Sequence, residues 1–568
     1  MHLVLVALAL QLRTVALAAP AVPRARDDVS ADSARDTRRA RSAQASFEHS
    51  RRASLPWDPE GEGRCDVRVG RFCWWYDESS PTLPPESESV VQRRAALIAL
   101  FDSLVALHPG DDWMAGMAVH YRVDGHRTVG ADSAALACRG TRWWCHALLG
   151  YAAQASGHAV LADSAFDVAL AAMPMEIRCE WTDIHAILPA DIRGRYEKLP
   201  CAVRATMEGR YWMLARPRLA APANEWRAEF LARRVQGWLA QRSLTPQGLG
   251  WGDDAEELLL RYGWPVRWSR VQRSHASLTP EIAIIGHDPW PSFAFGPRDA
   301  LLDSLAVSAD DGWELQSRQS DSRYAPPDIR RVVPVHAQVA RFRRGDSTLV
   351  VAAFSSPDDS LRSPSAQFAV ALADGSTRAS ASDSTTHGVA TLLVDSPPAL
   401  AGVEIADRTS GTLARSRQLF ASPSSPGTIA LSDLLLYRAG DEPVQLLDSA
   451  LVRALRGQTV SRAEPVGVYW EAYRRADGGD SVAVVITVKR IDHGFFRSAR
   501  QRLGLEDEDS PLRMRWTDAR PVTDGMSTYA VSLDLANLPE GRYRLSLTIT
   551  APDGTPATAF RELELVER

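Results

Sequence analysis

The chain has 568 residues, 45% of them hydrophobic and 24% charged, and a formal net charge of −5 at pH 7. That length carries several domains of ordinary size, each with its own core, and the composition excludes a fibrous or wholly disordered chain. No basic tract is dense enough for a nucleic-acid partner. Beyond the N-terminus no apolar run approaches the roughly 18 residues of a membrane span.

Residues 1–18 read as an export signal: Leu3 to Leu12 is apolar, and Ala16-Leu17-Ala18 offers small residues for cleavage before Ala19. The stretch before the apolar run has no Lys or Arg, and Arg13 interrupts it. Residues 19–60 read as a disordered linker, because the arginines of Asp27 to Arg52 are mixed with acidic and small residues. The six cysteines fall as close pairs, Cys65 with Cys73, Cys138 with Cys145, and Cys179 with Cys201. An even count at short spacing suits disulfides in a periplasmic or extracellular compartment, and neighbour pairing is the simplest connectivity. No CxxC occurs, the histidines lack ligand spacing, and Cys145-His146 lacks the partner of a CxxCH site, so no metal and no cofactor is expected.

Residues 61–204 form the expected Cys-containing helical domain. Ala96, Leu97, Leu100, Phe101, Leu104 and Leu107 recur at three and four residues until His108-Pro109-Gly110. From Thr141 to Pro174, Leu149-Gly150, Ala162, Phe166, Ala169 and Pro174 keep the spacing of a roughly 34-residue helical hairpin. The unit resembles the tetratricopeptide family, with Phe166 expected in the groove of the next hairpin. The family's first-helix Trp and Tyr are His146 and Ala153 here.

Six tryptophans fall between residues 211 and 268. Asn224 suits a helix N-cap and Glu225 the positive end of that helix. Trp226, Phe230, Val235, Trp238 and Leu239 then share a face. Gly250 and Gly252 are expected to take turn conformations, and Leu258 to Leu260 a buried strand ended by Pro265. Across residues 205–331 the order of motifs resembles the GWxTD family of exported bacterial proteins. Its carriers are Trp212 to Pro217, then Asn224, Glu225, Glu229 and Phe230 with Arg234-Val235, then Gly250, Trp251, Asp253 and Asp254, then Arg261, Tyr262, Gly263 and Pro265. Asp253 replaces the family's Thr, and Trp264 stands where a small residue or Pro is usual. The resemblance implies a small α/β module in a multidomain envelope protein.

After Val332 the pattern turns to short β runs such as Ser347 to Phe354, Ala366 to Ala373 and Val389 to Val394. An immunoglobulin-like antiparallel β-sandwich is expected over 332–422, and a second over 427–568. In the second, Val466 to Tyr473, Ser481 to Lys489, Met526 to Leu533 and Tyr543 to Ile549 are the clearest strands. Leu538 to Tyr543 resembles the turn before a late immunoglobulin strand, and Asp553-Gly554 a hairpin turn. Ser432-Asp433-Leu434 and Val468-Tyr469-Trp470-Glu471 resemble the β region that follows the module in GWxTD proteins. The expected whole is multidomain α+β.

For chemistry, Asp253, Asp254, Glu256 and Glu257 beside Trp251 are the strongest candidates, since paired carboxylates near aromatic rings serve glycosidases. Adjacent acids are more often a solvated turn, and their spacing lacks an EF-hand loop. His275, His287 and Asp288 are a weaker metal candidate. HExxH, GxSxG, GxxxxGK[ST] and a strand-borne GxGxxG are all absent. The expected function is an exported, non-enzymatic scaffold with protein partners in the bacterial envelope. The alternative is a carbohydrate-binding or carbohydrate-active protein using Trp251, Trp264 and the nearby acids.

Overall fold

The computed structural model describes residues 25–57, 67–74, 85–125, 128–273, 281–287, 292–297, 313, 315–316, 320–420, 429–442, 444–474, 481–491, 512–518, 525–551 and 554–567. The expected signal sequence lies outside them. The spacer expected over 19–60 is largely helix α1, Ala25–Ala53. Its inward face carries Ala40, Gln44, Phe47, Glu48 and Arg51, all buried. The polar members are satisfied by distant partners: Gln44 Nε2 donates to Leu244 O at 2.7 Å, and the Tyr121 hydroxyl donates to Glu48 at 2.9 Å. The helix is therefore held by tertiary hydrogen bonds as well as by Ala40 and Phe47, which join the main core.

Helices α2 (Glu88–Leu107), α3 (Asp112–Asp124) and α4 (Ala131–Leu136) follow, then the hairpin α5 (Arg142–Ala155) and α6 (Ala159–Ala172). In α2 the predicted period buries Leu97, Phe101 and Leu104, and the chain leaves the helix at His108. Between α5 and α6, Gly150 lets Phe166 close in: a Cβ at Gly150 would sit 2.9 Å from three ring carbons. Phe166 thus packs within its own hairpin, and it shares its core with residues of α10. Short helices α7 (Met175–Thr182) and α8 (Ala190–Tyr196) lead to α9 (Cys201–Leu214).

Disulfides join Cys138 to Cys145 and Cys179 to Cys201, as neighbour pairing predicts. The Cys65–Cys73 pair cannot be placed, since Cys65 lies outside the described residues. The second bridge ties α7 to α9. Cys201→Ser is expected to lower the stability of the helical layer by about 2–4 kcal/mol. A melt under non-reducing conditions checks this, and dithiothreitol, which also opens Cys138–Cys145, should shift the native protein by at least as much.

Helix α10 (Glu225–Gln241) starts at Asn224, whose side chain accepts from Arg227 N at 3.2 Å. Its buried face, Trp226, Phe230, Val235 and Leu239, joins the same core as Leu148, Phe166 and Tyr151 of the preceding hairpin. Hydrophobic packing therefore runs straight through the boundary expected at residue 205. After a single 3-10 turn at Pro246–Gly248 comes α11, Asp253–Tyr262. The strand expected at Leu258 to Leu260 is thus helix, burying Ala255, Leu258, Leu259 and Tyr262 at helical spacing. Gly252, with φ −177°, is the extended N-cap rather than a strained turn. Left-handed backbone falls instead at Gly248 (φ 61°) and at Gly263 (φ 85°), where the chain leaves α11.

Two small antiparallel pairs flank this unit: β1 (Val67–Val69) with β2 (Phe72–Trp74), and β3 (Arg267–Arg273) with β4 (Glu281–His287). The first β unit contains β5 (Arg331–Pro334), β6 (His336–Arg344), β7 (Ser347–Ser355), β8 (Pro364–Leu372) and β9 (Thr377–Ala379). It continues with β10 (His387–Val394), β11 (Pro398–Asp407), β12 (Thr412–Arg415) and β13 (Gln418–Leu419). One sheet is ordered β10-β7-β6, and the other β5-β12-β11-β8-β9 with β13 beside β11. Val339, Val350 and Phe354 of the first meet Phe368, Val403 and Ile405 of the second in a shared core.

The last unit contains β14 (Ile429–Leu431), β15 (Leu435–Arg438), helix α12 (Leu447–Val452), β16 (Thr459–Ser461), β17 (Val466–Arg474) and β18 (Val482–Arg490). Strands β19 (Leu512–Asp518), β20 (Met526–Leu533), β21 (Gly541–Thr550) and β22 (Pro556–Val566) complete it. Its sheets, β16-β22-β21-β18-β19 and the set around β17, enclose Val468, Trp470, Val484, Ile486 and Leu547. Strand β21 pairs with β22, and Gly554 between them has φ 85°, while Asp553 of the expected turn lies outside the described residues. Between the two β units, Phe342, Val351, Tyr437 and Tyr469 pack together. Buried Gln338 there donates to Leu436 O at 2.7 Å and accepts from Leu436 N at 3.0 Å.

Candidate functional site

The six tryptophans divide by role. Trp212 and Trp226 are both buried, Trp212 packs against Phe230, and Trp226 stacks on Tyr324 with centroids 5.5 Å apart. Trp238 lies 4.1 Å from Trp144 of α5, which fastens α10 to the helical hairpin. Trp268 is buried and donates to Pro265 O at 3.0 Å. Only Trp251 and Trp264, 6.5 Å apart, face an internal space.

That space is a cavity of about 160 Å³ between the module and helices α1, α3, α5 and α10. Met117, Leu239 and Leu259 supply apolar wall, while His120, Tyr151 and Gln236 supply polar groups. His120 Nδ1 pairs with the Tyr151 hydroxyl at 3.2 Å. Burial pushes the His120 imidazole below its ordinary value, and Arg51 and Arg94 add to this against the pull of Asp124. At the floor Arg51 meets Asp124 at 3.1 Å and Glu86 at 3.1 Å, while Arg94 binds the same two carboxylates. Burial alone would raise the Asp124 carboxyl, but Arg51 and Arg94 outweigh it and hold it at about 2.

Behind this floor Glu48 is fully buried, accepting from Tyr121 and from Gln247 N at 2.8 Å. Burial pushes its carboxyl up to about 7, with Arg51 offsetting only part of the effect. An unfolded glutamate titrates near its ordinary value of about 4.3. Between there and about 7 the folded state therefore keeps a proton that the unfolded state has lost. Stability from this group is greatest at the acid end of that window and falls as pH rises through it. Glu48→Gln, which stays neutral, is expected to gain on the native protein between pH 5 and pH 8. Urea midpoints at the two pH values check this, and a constant difference would contradict it.

The predicted acids do not converge on the tryptophans. Asp254 is 2.7 Å from Arg71 in the β1–β2 turn and accepts from Arg71 N, and these bonds hold its carboxyl at about 2. Glu256 binds Arg234 at 3.0 Å, and Glu257 binds Arg261 at 3.1 Å. Asp253 is exposed on the first turn of α11. Together they complement the helix N-terminus and tie it to neighbouring elements. None of the four lines the cavity.

The other signature residues serve the joints. Glu225 pairs with Arg218, which also binds Asp328 at 2.7 Å. Glu229 holds Arg233 at 2.9 Å, and that guanidinium donates to Leu260 O at 3.0 Å near the end of α11. A Cβ at Gly263 would approach the same guanidinium to 3.3 Å, a second reason for glycine there. Pro265 is buried under Gly286, Tyr262 stacks on Trp74 at 5.0 Å, and Gly250 is exposed, its carbonyl accepting from Arg71. His287 is hydrogen-bonded to Ser269 at 2.7 Å, while His275 and Asp288 lie outside the described residues. Among the described residues no group of three or more His, Cys, Asp or Glu side chains is arranged to hold a metal, and no helix is long and apolar enough to cross a membrane.

His120, Tyr151 and Gln236 escaped the sequence reading. They lie on three helices far apart in sequence, and each sits inside an ordinary helical pattern.

No protein-family model matches the chain, and no curated protein matches it. Among solved structures it is similar to a calcium-binding mutant of Bacteroides uniformis beta-glucuronidase 2, at 9% identity and a TM-score of 0.16, covering 38% of this chain and 26% of that one. It is also similar to the receptor tyrosine kinase Torso in a structure of neurohormone perception, at 9% identity and a TM-score of 0.11, covering 41% of this chain and 73% of that one. Neither similarity carries an argument about fold or activity.

Proposed function

We propose that this chain is an exported, non-enzymatic scaffold for protein partners of the bacterial envelope. In this reading a tetratricopeptide-like helical layer and a GWxTD-like module form one body, continued by two immunoglobulin-like sandwiches. The observation that carries it is the fate of the module's acids: Asp254 pairs with Arg71 of the β1–β2 turn, Glu256 with Arg234 of α10, and Glu257 with Arg261 of its own helix and, at 3.6 Å, with Arg193 of α8. A glycosidase needs two carboxylates flanking one bond, one of them kept protonated. Acids locked to arginines on the outside of a helix suit joints instead.

Two disulfides fit an oxidising compartment. For the immunoglobulin-like assignment, the Tyr543 hydroxyl donates to Pro539 O at 2.8 Å, the arrangement of a tyrosine corner. On the outer side of α6, Val160, Leu161 and Val168 are exposed, an apolar face that suits a protein partner.

Two measurements test the reading together. The purified protein should leave aryl glycosides intact, and a photocrosslinker at Val160 or Val168 should capture one recurring protein in the envelope. Hydrolysis that disappears in Asp253→Asn, or the absence of any recurring partner at both positions, would contradict it. Asp254→Asn removes a pair with a mostly exposed arginine, so it should cost under about 1 kcal/mol and leave the fold intact. It is therefore a clean second control for hydrolysis.

A further inference from the structure

We propose that the cavity beneath Trp251 and Trp264 binds one small, neutral aromatic or heteroaromatic ring bearing a hydroxyl or ring N–H. This site is independent of the scaffold reading: a partner surface on α6 neither needs it nor supplies it.

Size sets the first limit. At about 160 Å³ the cavity is close to the roughly 150 Å³ at which an apolar protein cavity takes up benzene. A single ring fits, and an oligosaccharide does not. The walls set the second. Trp251 and Trp264 present indole surface from the module side, and Tyr151, Met117 and Leu239 close the space from the helices. Aromatic guests gain offset or edge-on contacts with such rings beyond the burial of their area.

Charge sets the third limit. The ionised groups at the floor, Arg51 and Asp124, are already paired with each other and with Glu86 and Arg94. A charged guest would be desolvated with no counter-ion left to meet it. The remaining polar equipment is neutral and directional. His120 uses Nδ1 on Tyr151, whereas its Nε2 has no hydrogen-bond partner among the described residues. The Trp251 N–H likewise has none, while Trp264 is already committed to Gln247 at 3.1 Å. A hydroxyl or ring N–H on the guest would meet His120 Nε2, and the oxygen of a hydroxyl could accept from Trp251. Such a constellation fits a cavity with mostly apolar walls and a few convergent polar groups.

Phenol and indole are the probes, with benzoate and glucose as controls, titrated into the full-length chain by isothermal calorimetry and ligand-observed NMR. Phenol or indole should bind saturably, and benzoate and glucose at least roughly tenfold more weakly. His120→Leu should weaken phenol roughly tenfold more than it weakens toluene, because it removes the guest's hydrogen bond, while loss of the Tyr151 contact affects both guests alike. Val266→Trp at the exposed mouth and Ala240→Leu in the wall should each abolish binding. The mouth variant carries the test if the wall variant does not fold. Absence of saturable binding by both aromatic probes would overturn the proposal. So would preference for glucose or benzoate, or unchanged binding in folded His120→Leu and Val266→Trp.

Discussion

Glu404→Ala is expected to destabilise the chain by about 3–5 kcal/mol, the range for stripping one partner from a buried ion pair. Glu404 and Arg417 are both almost wholly buried, where the helical body meets the first β unit. Glu404 accepts from Leu219 N, from Ala220 N at 3.1 Å and from Arg417. Arg415 and Arg417 in turn donate to Pro217 O at 3.0 and 3.2 Å. Loss of the carboxylate strands a buried guanidinium and two backbone amides at once. Glu404→Gln keeps an acceptor but not the charge, so its effect should be smaller. Urea unfolding measures the cost, and trypsin gives a local readout. Cleavage after Arg218 should accelerate sharply in Glu404→Ala, and unchanged cleavage with unchanged stability would remove this joint from the account.

Phe166→Ala is expected to cost a similar amount, about 3–5 kcal/mol, by opening a cavity in the α5–α6 hairpin. The reciprocal change overfills the same contact. Gly150→Ala places a methyl group 2.9 Å from three carbons of the Phe166 ring, which must move. Such overpacking typically costs about 1–3 kcal/mol. Combining Gly150→Ala with Phe166→Leu should cost less than the sum of the single changes, because the smaller side chain relieves the clash. Denaturant midpoints for the four proteins decide this. Strict additivity would mean that the two residues do not share one contact.

Much of the fold was legible where side chains carry a local signal. The alternation of β20 and the N-cap at Asn224 needed only neighbours in sequence. The α11 helix was also legible in principle: Ala255, Leu258, Leu259 and Tyr262 follow helical spacing. Three consecutive leucines before Gly263-Trp264-Pro265 instead resemble a buried strand, and short apolar runs do not separate the two. Helix α1 was hidden for a different reason. Its inward Gln44, Glu48 and Arg51 look solvated until residues such as Tyr121, Asp124 and Leu244 arrive from elsewhere in the chain. The cavity was hidden likewise. Trp251 and Trp264 stand out in the sequence, but the group facing them, His120, does not. The pairing of the neighbouring acids was hidden in the same way, because Arg71 and Arg234, the partners of Asp254 and Glu256, are distant in sequence.

The tryptophan-rich segment packs as a layer of the helical body, joined to it by Trp238 on Trp144 and by the core around Phe230. Hydrogen exchange across a denaturant series, followed by mass spectrometry, tests this most directly. Amides in the middle of α5 and of α10 should open in one cooperative event, with the same free energy and the same dependence on denaturant. Exchange of α5 through a low-energy opening while α10 stays protected would contradict it.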